Sequence, residues 1–175
     1  MIDPFGSLQT LAEVSIAVVG FTGIVAVYQR VNDAQSELAR WRVYTVLTSS
    51  LIALFFSTVP VGIAQLGVPE PELWRLCSGA LVLGYLGFYA DLLRTRKRLS
   101  PTSLAPIAAH PWYSRILTSV SFALVGLLAL NASAALFIPR TGLYYFGVLW
   151  IIATSCTIFG RTVFGPQASG SSPAA

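Results

Sequence analysis

The chain has 175 residues, 55 % hydrophobic and 10 % charged, with a mean hydropathy of +0.70. A soluble domain carries about 25 % charged residues to face water, so these totals exclude an ordinary water-soluble globule and make lipid the outer solvent. The net charge of +4 would suggest a nucleic-acid partner in a soluble protein; here basic loops that set membrane orientation account for it, and no nucleic acid is expected.

Five apolar segments follow one another, at residues 8–28, 43–66, 73–93, 116–138 and 143–164. Each is long enough to cross a bilayer as a helix. None shows the short alternating pattern of a barrel strand, so all five are predicted helices, the structure that satisfies its own backbone in lipid. The expected fold is therefore all-α: a five-transmembrane-helix bundle forming one membrane domain over residues 1–164, with a disordered tail at 165–175 of linker composition. The residues before the first segment lack a basic run, so no cleavable leader is expected.

The first segment, LQTLAEVSIAVVGFTGIVAVY, carries a single charge, Glu13. A carboxylate in such a span is costly, about 2.5–3.5 kcal/mol on the insertion scale for Asp. Glu13 must pair, stay protonated or perform a task. Ala17, Gly20 and Ile24 share its side of the helix, with Gly23 adjacent, and small residues let backbones approach closely. The first helix is accordingly expected to be the most enclosed.

Between the first two segments, Asn32 with Gln35 forms a capping-box pattern, so the second helix is predicted to start near Asp33. Pro60 should kink it. Its hydroxyls (Thr45, Thr48, Ser49, Ser50, Ser57, Thr58) either line a water path or bond back to carbonyls four residues earlier. Gly20-Phe21-Thr22-Gly23 echoes Gly84-Tyr85-Leu86-Gly87 of the third segment, a pattern that either marks a duplicated hairpin or arises from common membrane-helix residues.

The third segment ends in the basic run Arg94, Arg96, Lys97, Arg98, which suits orientation or contact with anionic lipids. Asp91 sits one turn before Arg94, an i,i+3 ion pair by spacing. The next loop carries Pro101, Pro106 and Pro111 and lies either on the inner headgroups or in water. Nine of the 11 Lys and Arg residues fall on one side, with Arg75 and Arg140 on the other. The positive side is the cytoplasmic one, so the N-terminus is expected outside and the C-terminus inside, in a bacterial-type inner membrane. Tyr28, Trp41, Tyr44, Tyr89, Trp112 and Tyr113 mark the inner boundary; Trp74, Tyr144 and Tyr145 mark the outer one.

Depth counting places Glu13, Ser57, Thr58, Ser78 and Asn131 in one outer-leaflet layer. Polar groups in lipid turn inward and find one another. That layer is a cation or proton site in a functional reading. In a structural one it is a hydrogen-bonded knot in which Glu13 pairs with Arg75 or Arg140. Catalytic equipment is thin. His110 has no second ligand at metal spacing, and no nucleophile elbow or phosphate loop is present, so neither enzyme activity, cofactor nor metal is expected. Cys77 and Cys156 lie at different depths and should not form a disulfide. Two functions remain. The first is an oligomeric pore or transport-type protein with Glu13 facing the symmetry axis of a homo-oligomer. The second is a non-catalytic scaffold or regulatory subunit that binds a partner through its basic cytoplasmic loop.

Overall fold

The computed structural model of the chain describes residues 3–31, 37–100, 111–133 and 141–163. They form five α-helices: α1 (Pro4–Val31), α2 (Glu37–Gln65), α3 (Glu70–Arg96), α4 (Pro111–Ala132) and α5 (Thr141–Val163). All five are long and apolar enough to cross a membrane. Large apolar side chains point away from the bundle, among them Leu83 (72 % exposed), Ile24 (67 %) and Phe55 (60 %). A surface of that kind is the outer coat of a membrane helical bundle, stable where the solvent is hydrocarbon.

The helix starts follow local chemistry. The Asp3 carboxylate accepts the backbone N–H of Phe5 at 3.0 Å, so Asp3 caps α1 and Pro4 takes the first helical position, where a missing N–H costs nothing. Pro111 opens α4 in the same way. Gly67, at φ 75°, ends α2 in the left-handed conformation that glycine adopts without strain. The expected start of α2 near Asp33, the loop prolines Pro101 and Pro106, His110, Arg140 and the 165–175 tail lie outside the described residues.

The helices run up and down. Phe5 and Tyr144 both pack on the Trp74 ring, at centroid distances of 6.0 and 5.8 Å, which brings the starts of α1, α3 and α5 to one end. Trp41 donates its ring N–H to the Thr95 hydroxyl at 3.3 Å, joining the start of α2 to the end of α3 at the other. Laterally, α2 and α5 hold the middle. Helix α2 packs on α1, α3 and α5, and α5 packs on all four others. The backbone of α1 lies against α2 and α5, with Phe5 alone reaching the Trp74 ring of α3, and that of α4 lies against α3 and α5. The expectation that the first helix is the most enclosed is therefore corrected. Helix α2 carries the deepest burial, from Leu38 through Val46 and Ala53 to Pro60. It is central because its hydroxyl-rich face is narrow and small enough for neighbours on both sides.

One cluster ties α2, α3 and α5 at the Trp74 end: Phe56, Leu73, Trp74, Cys77, Leu81, Tyr144 and Val148, all buried. Its centre is a backbone defect. Pro60 sits inside α2 and has no N–H to offer the carbonyl four residues earlier. That carbonyl belongs to Phe56, and the fully buried Tyr144 hydroxyl of α5 donates to it. The Phe56 ring, in turn, lies over Gly84 of α3. A Cβ built there would meet Phe56 Cε2 at 2.6 Å. Gly20, its counterpart in the sequence echo, has nothing within 4 Å of the same position. The first glycines of the two motifs thus differ in surroundings, while the second ones, Gly23 and Gly87, are both open.

Tyr144→Phe should destabilise the bundle by about 1–3 kcal/mol, the cost of stranding a buried acceptor. In a Pro60→Ala background, where position 60 regains its N–H, most of that loss should vanish. Thermal unfolding of the four proteins in mild detergent measures the coupling, and equal losses in both backgrounds would refute the pairing. Gly84→Ala should cost about 1–3 kcal/mol by overpacking against Phe56, whereas Gly20→Ala should be neutral or slightly stabilising in the same assay.

Candidate functional site

The five residues of the expected polar layer do not meet at one point. Asn131 of α4 donates through Nδ2 to the Ser78 hydroxyl of α3 at 2.8 Å, with both side chains buried. That pair belongs to the α3–α4 seam, which α1 does not touch. Ser57 is buried in α2 and donates to the Ala53 carbonyl at 2.8 Å. Thr58 is exposed and donates to the Phe55 carbonyl at 2.9 Å. Glu13 stands elsewhere, exposed on the outward face of α1, where it accepts a hydrogen bond from Gln9 Nε2 at 3.3 Å.

Helical geometry explains the separation. Leu8, Leu11, Ala12 and Ser15 form the buried side of α1. Glu13 lies one residue past Ala12, rotated about 100° from it, and so leaves the packed side. Gln9, Glu13, Ala17, Gly20 and Ile24 follow at intervals of three or four and are all exposed. They make one continuous strip. At about 1.5 Å per residue the 28 residues of α1 span roughly 42 Å, and Glu13 lies about 13 Å from the helix start. Centred on a hydrocarbon core of about 30 Å, that is roughly 7 Å below the boundary. A carboxyl group there faces lipid or another protein surface.

The buried hydroxyls settle into backbone bonding. Ser15 donates to the Leu11 carbonyl at 2.8 Å and Thr22 to Val18 at 2.7 Å. Thr45 donates to Trp41 at 2.8 Å and Ser49 to Thr45 at 2.7 Å. Ser49 and Ser155 also lie 2.6 Å apart, a hydroxyl pair that joins α2 to α5. Of the two readings of the α2 hydroxyls, this geometry matches bonding to the preceding turn. Among the described residues, Ser78 and Ser121 instead accept side-chain donors, from Asn131 and Trp150, and the Ser50 hydroxyl is buried with no partner. Arg75 Nε is likewise buried without one, and Arg75 shares no hydrogen bond with Glu13.

The opposite end carries the positive charge. Arg94, Arg96, Lys97 and Arg98 are all exposed at the end of α3. Asp91 accepts the Tyr44 hydroxyl of α2 at 2.9 Å, a partner other than the Arg94 that its spacing suggested. The Glu37 carboxylate accepts both the backbone N–H and the hydroxyl of Ser100, at 3.2 and 2.9 Å. These bonds clamp the start of α2 to the end of α3 and fix the direction in which the basic run projects. Sequence spacing missed both because their partners are 47 and 63 residues apart. Cys77 is buried, Cys156 is exposed, and both are free thiols.

Among the described residues no group of three or more His, Cys, Asp or Glu is placed to hold a metal ion. The chain matches no protein-family model, no curated protein and no solved structure.

Proposed function

We propose that this chain is a subunit of a membrane homo-oligomer of pore or transport type. Copies meet along the outward strip of α1, and Glu13 faces the shared axis as a site for a proton or cation. The observation that carries this reading is the exposed Glu13 carboxyl, with Gln9 as its hydrogen-bond partner, on a strip that no other helix of the bundle covers. Lipid leaves such a group uncompensated, while a neighbouring copy supplies polar company of the same kind. Ala17 and Gly20, one and two turns further along the same strip and both exposed, allow two such helices to approach closely. The interior of a single bundle offers less, because its hydroxyls are spent on helix carbonyls. The N-terminus then lies outside and the C-terminus in the cytoplasm of a bacterial-type inner membrane, as the asymmetry of Lys and Arg indicates. No catalytic step is assigned to the chain.

The second reading, a scaffold or regulatory subunit that grips a partner through its basic cytoplasmic side, draws on the exposed run from Arg94 to Arg98.

Two substitutions separate these readings. Glu13→Gln should abolish ion or proton flux into liposomes while leaving oligomer size unchanged; persistent flux, or no flux from the parent protein, would refute the transport reading. Gly20→Leu should reduce cross-linking between copies. Monomer stability should move by less than about 0.5 kcal/mol, as for other open surface positions. Unchanged cross-linking would remove α1 from the contact. For orientation, thiol labelling of single cysteines introduced at Glu72 and Arg96 should mark the first from outside and the second from inside; the inverse pattern would overturn the assignment.

A further inference from the structure

We propose that the contact between copies is proton-linked: the protonated Glu13 carboxyl of one copy donates to the Gln9 carboxamide of a second, and a two-fold axis repeats the pair. This inference rests on the homo-oligomer reading above and adds the regulation of its site. Gln9 and Glu13 are both exposed, one turn apart on the outward strip of α1, and Gln9 Nε2 donates to Glu13 Oε1 at 3.3 Å. That length is just past the usual range for an N–H donor to oxygen. A glutamine amide has a carbonyl acceptor and two N–H donors; a carboxyl group has two oxygens and gains an O–H donor when protonated. One weak bond within the copy therefore leaves the Gln9 carbonyl and the second Glu13 oxygen at an exposed surface. An acid O–H given to an amide carbonyl, answered by an amide N–H given to an acid oxygen, joins two copies through neutral groups. The same patch on both copies completes itself, as a two-fold contact requires.

The charged form does not serve this contact. Copies that meet along one strip bring the same carboxylate from each side, and like charges repel most where lipid replaces water. Among the described residues, Gln9 is the hydrogen-bond partner of Glu13, and no cation pairs with it. Helix α2, packed on α1, carries Glu37, Arg40, Arg42 and Tyr44 near its start, at the opposite end of the bundle. Helix α5 carries Cys156 and Arg161 towards that same far end. At the Glu13 end it presents Tyr145 and Tyr144, whose hydroxyl is given to the Phe56 carbonyl. Glu70, Glu72 and Arg75 belong to α3, which reaches α1 through the Trp74–Phe5 contact. Asp3 lies ten residues before Glu13, about 15 Å along the helix. Arg140 precedes α5 and lies outside the described residues. A hard metal cation takes about six oxygens, whereas the strip continues into Ala17, Gly20 and Ile24, which add no side-chain oxygen. The proton is the cation that this surface suits. A competing explanation makes Gln9 and Glu13 a local pair that turns towards headgroup water and takes no part in the contact.

Association then takes up a proton at each Glu13 and strengthens as pH falls. The test is energy transfer between donor- and acceptor-labelled copies of the full chain, diluted with lipid in phosphatidylcholine vesicles. Lowering the pH from about 8 to about 5 should tighten association of the parent by about tenfold or more. Glu13→Gln supplies an amide N–H in place of the acid O–H; it should associate as the parent does at low pH and lose the pH dependence. Gln9→Leu removes the acceptor and should weaken association at low pH by about fivefold. Arg140→Gln should behave as the parent. Loss of the pH dependence in Arg140→Gln would put an ion pair in place of the proton link, and its persistence in Glu13→Gln would assign it to another group; either result overturns the proposal. Association that Gly20→Leu weakens but pH leaves unchanged would overturn the proton link and keep the α1 contact. Association that Gly20→Leu leaves unchanged would overturn the α1 contact itself.

Discussion

A proline in the middle of α2 creates the demand around which this bundle is built. Pro60 withdraws the N–H that the Phe56 carbonyl would otherwise accept, and in a bilayer no water replaces it. The Tyr144 hydroxyl meets the demand from α5. A tyrosine can do so only if its ring is also buried, and Trp74 provides the surface at 5.8 Å. Trp74 in turn carries the Phe5 ring at the start of α1. Phe56, held by the same backbone, reaches α3 over Gly84. One missing donor thus fixes the relative height of four helices, because each contact is short-ranged and tolerates little sliding along the helix axes.

A second constraint acts on hydroxyls. Serine and threonine in lipid must bond somewhere, and the nearest acceptor is the carbonyl one turn back. Thr45, Ser49, Ser57, Ser15, Thr22 and Ser155 all take it. Satisfied in this way, they behave as small side chains and allow α2 to sit between α1 and α5. The Ser49–Ser155 contact adds a direct link on top. This arrangement displaces α1 from the centre: its backbone lies against α2 and α5, and the side that carries Gln9, Glu13, Ala17, Gly20 and Ile24 is left outward.

The five spanning-length helices of the described residues and their approximate bounds were legible in the sequence because lipid imposes length and apolarity on each span separately. The ends were less so. Hydropathy passed over Asp3 and Pro4, whose cap and first-turn signature starts α1 ahead of its apolar run. The proposed site was legible in identity and not in place. Counting residues gave the depth of Glu13, but depth says nothing about azimuth. The rule that polar groups turn inward grouped Glu13 with Ser57, Thr58, Ser78 and Asn131. In the structure only Ser78 and Asn131 bond each other, across the α3–α4 seam. Ala12 and Ser15 hold the packed side of α1, and Glu13 follows the helical rotation outward. Long-range partners such as Tyr44 with Asp91 left no trace in local spacing.

The polar groups that the fold satisfies and those that it leaves open therefore lie in different places. Inside, among the described residues, the hydroxyls and the proline-freed carbonyl are paired, the Ser50 hydroxyl and Arg75 Nε apart. Outside, the Gln9–Glu13 pair faces away from the bundle, and exposed guanidiniums gather at the opposite end. A bundle spends its interior on stability when its packing is complete, and whatever it does with charge must then be done at its surface. For a carboxyl within hydrocarbon the fitting surface is another helix, which supplies the polar company that lipid withholds.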